Sequence, residues 1–306
     1  MISSELAERV RHGLREYRLW EVDDRPEGIP VRSRLREAAE GVAIGLGRSS
    51  LRSRQLQFDY RGFRIPLDLA AMTGGSQDTW DEIAQAHLGY YERWAPVSPD
   101  SRILEVGCGI GRDAMCLRDV LGPHGSYLGL DITEPSIRWC QRNITAVDPR
   151  FRFEHLDVAS PMYNPLGRES NTSVRFPADD ASNDRVFLHS VFTHMYPPDV
   201  GHYLEEMRRV LTSDGIVLAS FFVVDEQVMA HAVQIGSGQT FEHDGPHGSR
   251  IHDPTHPEAA VGLTLDTIED LASNAGLEIR GLHRGFWSGM YEGPNGQDVI
   301  TFVATG

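Results

Sequence analysis

The stretch Arg102-Ile-Leu-Glu-Val-Gly-Cys-Gly-Ile-Gly-Arg-Asp113 decides the fold of this chain. Ile103 to Val106 is a short apolar run that reads as a buried strand, and Asp113 to Val120 continues with helical spacing. Between them Gly107, Gly109 and Gly111 make a turn. A strand, a glycine turn and a helix open a Rossmann-like nucleotide-binding sheet. Glycine suits such a turn because the backbone bends sharply there and a ligand approaches with no Cβ in its way. A glycine turn alone does not name the ligand.

Three features narrow the choice. Glu105 stands two residues before Gly107. The glycines are spaced Gly-x-Gly-x-Gly, not the Gly-x-Gly-x-x-Gly of dinucleotide binders. A second apolar strand, Tyr127 to Leu130, ends in Asp131, 20 residues after Gly111. An acid at that strand tip is placed to accept hydrogen bonds from two ribose hydroxyls. Glu105-Val-Gly107-Cys-Gly109-Ile-Gly111 together with Asp131 resembles motifs I and II of the class I S-adenosylmethionine (SAM) dependent methyltransferases.

The resemblance covers residues 72–306 and concerns the cofactor, not the methyl acceptor. It implies an α/β fold, a Rossmann-like seven-stranded sheet with an antiparallel final hairpin. It implies SAM as cofactor, with Glu105, Gly107, Cys108, Gly109, Gly111, Asp131 and Ile132 around it. Phe151 to Leu156 reads as the third strand; Asp157 and Val158 after it match the family's adenine-binding acid and its apolar neighbour. Asp184 to Phe222 resembles the family's motifs IV to VI and places Ser190 at the cofactor. Asn183 and Thr212-Ser213-Asp214 depart from the family pattern at expected surface turns.

Composition bounds the rest. The formal net charge of −15 argues against a nucleic-acid substrate, whose binding rests on neutralising phosphates. The chain has no lysine, which excludes Schiff-base chemistry and a Walker-type phosphate lysine. Cys108, Cys116 and Cys140 have no paired metal-ligand spacing and suit a reducing compartment. The amino terminus lacks a signal peptide's apolar segment and no run reaches the length of a membrane span, so a cytoplasmic protein is expected.

Residues 1–71 read as an amino-terminal extension of helices and a β-hairpin, and residues 72–306 as the methyltransferase domain. Leu6, Val10, Leu14 and Tyr17 form an amphipathic helix suited to packing on the main domain or a second copy, and Ser33 to Leu46 forms another. Gln55 to Leu67 alternates as a hairpin. Residues 1–64 hold 13 arginines against 10 acids; arginines 48, 52, 54, 61 and 64 either pair with acids and water or fork around an anionic group. Gly74, Gly75 and Gln77 lie in a loop expected to close over the methionine end of SAM.

Residues 225–262 read as a lid-like insertion of little periodicity, with Phe221, Phe222 and Trp287 as apolar walls of the substrate site. The insertion is histidine-rich. His243, Asp244, His247, His252, Asp253 and His256 are metal-capable residues, but their spacing matches no defined site, so no metal is expected.

The expected reaction is methyl transfer to a small molecule, at a hydroxyl of a sugar, lipid-linked sugar or secondary metabolite. A hydroxyl acceptor loses a proton, and His194, just past the fourth strand, is the base the sequence suggests. N- or C-methylation, non-catalytic SAM binding and nicotinamide-dependent redox chemistry are the alternatives. The glycine spacing and final hairpin speak against the last.

Overall fold

The computed structural model of the protein describes residues 56–305. Both helices expected before residue 47, and arginines 48, 52 and 54, lie outside the described residues. The hairpin forms as its alternation predicts, with β1 (Gln57–Tyr60) against β2 (Phe63–Pro66). Its buried Phe58, Phe63 and Ile65 join one apolar cluster with Trp80, Ile103 and Tyr127. No break in packing therefore separates this hairpin from the chain beyond residue 71. Arg61 donates to Asp119 at 2.5 Å and Arg64 lies 3.8 Å from Asp59, so both described arginines of the expected basic rim face acids.

Helix α1 (Leu67–Met72) leads to α2 (Trp80–Trp94). Trp80, Ala84, His87 and Tyr91 fall on one face of α2 at helical spacing, and all are buried. Next come β3 (Arg102–Val106), α3 (Arg112–Leu117), β4 (Ser126–Asp131), α4 (Glu134–Cys140) and β5 (Phe151–His155). The chain then returns through β6 (Asn183–Leu188), α5 (Pro197–Val210) and β7 (Leu211–Val223). These five strands are parallel, in the order β5-β4-β3-β6-β7. Strand order reverses at β3, which puts the switch-point crevice at the carboxyl ends of β3, β4 and β6. Their apolar runs are buried on both faces, as a covered parallel sheet requires.

The sequence places a turn at Leu211–Gly215 before the fifth strand; instead β7 begins at Leu211. Leu211 pairs with Asn183 and the register then jumps to Arg185 with Ile216, so the polar residues between them bulge out of a continuous strand.

The insertion is more regular than its sequence suggests. Asp225 caps α6 (Glu226–Ile235) by accepting from the Val228 amide at 2.8 Å. The short strands β8 (His243–Asp244), β9 (Arg250–Ile251) and β10 (Val261–Leu263) extend the sheet from the end of β7. The three aromatic residues expected as walls are buried in cores: Trp287 packs edge-on against Phe222 and Phe241 in the insertion's own core, and Phe221 joins the main core.

Helix α7 (Leu265–Asn274), capped by Thr264, precedes β11 (Leu277–His283) and β12 (Asp298–Ala304). β12 runs antiparallel to β7 and β11 antiparallel to β12, which is the final hairpin expected of a seven-stranded methyltransferase sheet. No helix among the described residues is long and apolar enough to cross a membrane.

Asp298 fixes the junction of β7, β12 and the loop before it. Its fully buried carboxylate accepts from Val223 N at 2.8 Å and from Gly285 N and Trp287 Nε1, both at 2.9 Å. Asp298→Ala strands three buried donors and should cost about 3 kcal/mol or more. Urea denaturation checks this; an unchanged midpoint would mean water replaces the carboxylate.

Candidate active site

The glycine turn is held from both sides. Gly107, Gly109 and Gly111 have φ of +80°, +53° and +75°. A Cβ on Gly107 would fall onto Val191 Cγ2, and one on Gly109 onto the Thr73 side chain. Asp131 Oδ2 accepts from Gly109 N at 2.7 Å, and Oδ1 accepts from Thr133 N at 2.7 Å. Thr73 Oγ1 accepts from Ile110 N at 3.0 Å. A carboxylate has about four acceptor positions; two amides and the Thr133 side chain take three, so Asp131 keeps one for a ribose. Burial pushes its carboxyl above the ordinary value, partly offset by the Thr133 and Gly109 amides.

A cleft opens at the turn, lined by Gly107, Gly109, Asp131, Ile132, Leu156 and Ser190 among others. Ser160, Tyr163 and Asn171, from the loop that joins β5 to β6, also line it, as does Glu258 of the insertion. A second chamber lies on the far side of Gly107. Glu105, Cys108, His87, Asp113, Asn295 and Gln297 are among its walls, and Thr73, His189 and Ser190 line both spaces.

The expected site residues thus divide. Gly107, Gly109, Asp131, Ile132, Ser190 and His194 line the cleft. Glu105 and Cys108 face the second chamber instead. Glu105 accepts from Tyr127 Oη, and burial together with the nearby Asp113 raises its carboxyl well above the ordinary range. Burial likewise pushes the Cys108 thiol up, which opposes a thiolate role. Gly111 opens α3 beside Ile144 and Cys140. Asp157 pairs with Arg168 at 2.5 Å and Val158 is fully buried; neither lines the cleft. Gly74 lines the second chamber, and its carbonyl accepts from Arg112.

Ser190 has φ +54°, an uncommon conformation for a residue with a Cβ. Its amide donates to Ser220 Oγ at 2.8 Å and its hydroxyl to Gln297 Oε1 at 3.0 Å, which hold the strained turn in place. His194 Nδ1 lies 2.9 Å from the Glu258 carbonyl. A carbonyl only accepts, so Nδ1 carries the proton and the ring's lone pair is on Nε2. Burial lowers the His194 pKa and keeps the ring neutral. In the insertion, Asp244 pairs with Arg250, and Asp253 with Thr255 and His256.

Sequence reasoning missed Thr73, His87, Tyr91, Asp113 and Glu258. Asp113 adjoined the glycine turn and was the one with a local signal. The others reach the site only through tertiary packing.

Residues 98–245 match a family model described as a methyltransferase domain. The chain is 34% identical over 137 residues to a probable phthiotriol/phenolphthiotriol dimycocerosates methyltransferase 2 of Mycobacterium ulcerans, covering 44% of this chain and 45% of that one. It is 34% identical over 140 residues to phthiotriol/phenolphthiotriol dimycocerosates methyltransferase 1 of the same organism, covering 45% and 44%. The match thus spans less than half the length of these curated relatives. A solved SAM-dependent methyltransferase from Leishmania major superposes with a TM-score of 0.50 at 12% identity, covering 78% of this chain and 77% of that one. A Burkholderia thailandensis 1,6-didemethyltoxoflavin-N1-methyltransferase, solved with S-adenosylhomocysteine bound, gives 0.45 at 18% identity, covering 92% and 93%. The family match makes residues 98–245 a methyltransferase domain, and the strand order and glycine turn agree with that fold.

Two substitutions test the cradle. Gly109→Ala should weaken S-adenosylhomocysteine binding, because its Cβ displaces Thr73 from the turn. Asp131→Ala should weaken it more than about tenfold through loss of charge-assisted hydrogen bonds. Calorimetry reads both, and near-normal affinity in the second would move the ribose elsewhere. Ribose binding favours the ionised carboxylate, so wild-type affinity should hold at neutral pH and fall as pH drops through the raised Asp131 pKa.

Proposed function

We propose that this protein transfers a methyl group from SAM to a hydroxyl of a small molecule or lipid. A sugar, a lipid-linked sugar and a secondary metabolite are the acceptor classes in view. The observation that carries the reading is Asp131, bonded to the glycine turn while lining the cleft and keeping an acceptor position. When bound, SAM supplies an activated methyl carbon with its leaving group already attached. The protein then aligns the acceptor, excludes water and receives one proton. The Ser160–Asp180 loop and Glu258 of the insertion enclose the cleft mouth, which supports an enclosed small acceptor over a protein. The relatives named for dimycocerosate methylation support a lipid.

Two imidazoles line the cleft as proton acceptors, His194 and His189. His194, the residue the sequence suggests, has its lone pair on Nε2 and stands among Glu258, Asp199 and Tyr163.

Titration with S-adenosylhomocysteine, with NADH as control, tests cofactor class: binding of the first alone is expected, and binding of NADH alone would overturn the reading. Incubation with SAM and phthiotriol dimycocerosates should add one CH2 to the lipid by mass spectrometry. Cofactor binding without transfer to this lipid or to a panel of sugar and polyketide hydroxyls would point to N- or C-methylation or to a non-catalytic domain.

A further inference from the structure

The wall between the two chambers holds a chain of hydrogen bonds that the cofactor cradle does not use. Asp113, 3% exposed, lies at its centre. Its Oδ2 accepts from His87 Nδ1 at 2.8 Å and from Tyr91 Oη at 2.5 Å. Tyr91 Oη also lies 2.9 Å from His189 Nε2. The Tyr91 proton is committed to the carboxylate, so its oxygen accepts, and His189 carries its proton on Nε2. The lone pair of His189 is therefore on Nδ1. That atom is buried and has no hydrogen-bond partner among the described residues, and the ring lines both chambers.

His87, Asp113 and His189 have the mutual spacing of a metal site, all three ligand atoms lying within 4.8 Å of one another. The ring geometry opposes that use. The imidazoles of His87 and His189 stack 3.8 Å apart at 11°. Lone pairs lie in the ring plane, and two nearly parallel planes do not converge on one ion.

An orphaned buried acceptor costs about 1–3 kcal/mol. Here it is held by a four-residue network on three elements, a poor arrangement for mere packing. We propose that His189 takes the proton of the acceptor hydroxyl, that this hydroxyl enters from the second chamber, and that Tyr91, Asp113 and His87 are positioning residues. This inference rests on the proposed methyl transfer to a hydroxyl. As the acceptor oxygen bonds the methyl carbon, its O–H bond breaks and the proton passes to His189 Nδ1. The electron pair of the donor's carbon–sulfur bond stays on sulfur, leaving a neutral thioether. The imidazolium so formed is stabilised by Asp113 through Tyr91. His194, tied to the insertion through Glu258, then serves to close the cleft.

The groups facing His189 are His87, Tyr90 and Tyr91 from α2, and Arg112 and Asp113 from α3, with Glu105 of β3 beyond Asp113. Burial, then His87, lowers the His189 pKa well below the ordinary value, while Asp113 raises it. For Asp113, burial raises the carboxyl, but His87 outweighs it together with His189 and Arg112, and the carboxyl ends below its usual range. At neutral pH the pair is thus a neutral base beside an anion, and kcat should be flat from neutral pH upward.

The test has two readings on the full chain. The first is 15N-histidine NMR with S-adenosylhomocysteine bound, with no acceptor needed. His189 should be neutral with its proton on Nε2, and Tyr91→Phe should change that tautomer balance. A proton on Nδ1 in the wild type overturns the proposal whatever the acceptor. The second is turnover of whichever hydroxyl acceptor the wild type methylates. His189→Gln should lower kcat about a hundredfold and Tyr91→Phe about tenfold, with the acceptor KM and S-adenosylhomocysteine affinity held within about threefold. Loss of kcat in His194→Gln instead of His189→Gln would overturn it. Failure of the wild type to methylate any hydroxyl would sink the proposed function, while the tautomer reading still decides the state of His189.

Discussion

The Asp131 carboxylate between Gly109 N and Thr133 N is the constraint on which the rest of the site depends. It joins the end of β4 to the turn after β3 and holds a backbone that a Cβ would not permit. Burial charges the carboxylate a desolvation penalty, and the two amides offset part of it. Asp131 also lines the cleft. The same group that closes the turn therefore shapes the binding surface.

Around that cradle the fold assembles walls from distant parts of the chain. Thr73 comes from the segment before the sheet, His189 and Ser190 from the end of β6, Glu258 from the insertion and Gln297 from the loop before β12. Each is held by a specific bond rather than by packing alone: Thr73 to Ile110, Ser190 to Ser220 and Gln297, Glu258 to His194. Asp298 does the same structural work at the carboxyl end of β7, where main sheet and insertion diverge. The insertion thus contributes Glu258 to the cleft. Its large aromatic residues stabilise its own small core.

Much of the fold was legible because its signals are local. The apolar run Ile103–Val106, the glycine spacing and Asp131 follow from strand periodicity and turn sterics. The closing hairpin follows from two apolar strands placed close together. The insertion read as irregular because α6 shows only Val228 and Ala232 buried, too few to give a periodic stripe. The bulge at Leu211 was hidden because Thr212–Gly215 carries turn residues inside a strand that pairs on both sides of them.

What the sequence alone determined is the strand–glycine turn–strand unit and the cofactor class it serves, because φ, Cβ clearance and a strand-end acid are properties of a few adjacent residues. What only the tertiary structure decided is how polar groups far apart in the chain are paired. His87 and Tyr91 lie on the apolar face of α2 and read as core, while Asp113 reads as a helix start. Only the packing of α2 against α3 and the end of β6 joins them to His189. The tautomers of His189 and His194 are decided in the same way, since a ring nitrogen's role is set by the partner across the fold and not by its neighbours in sequence.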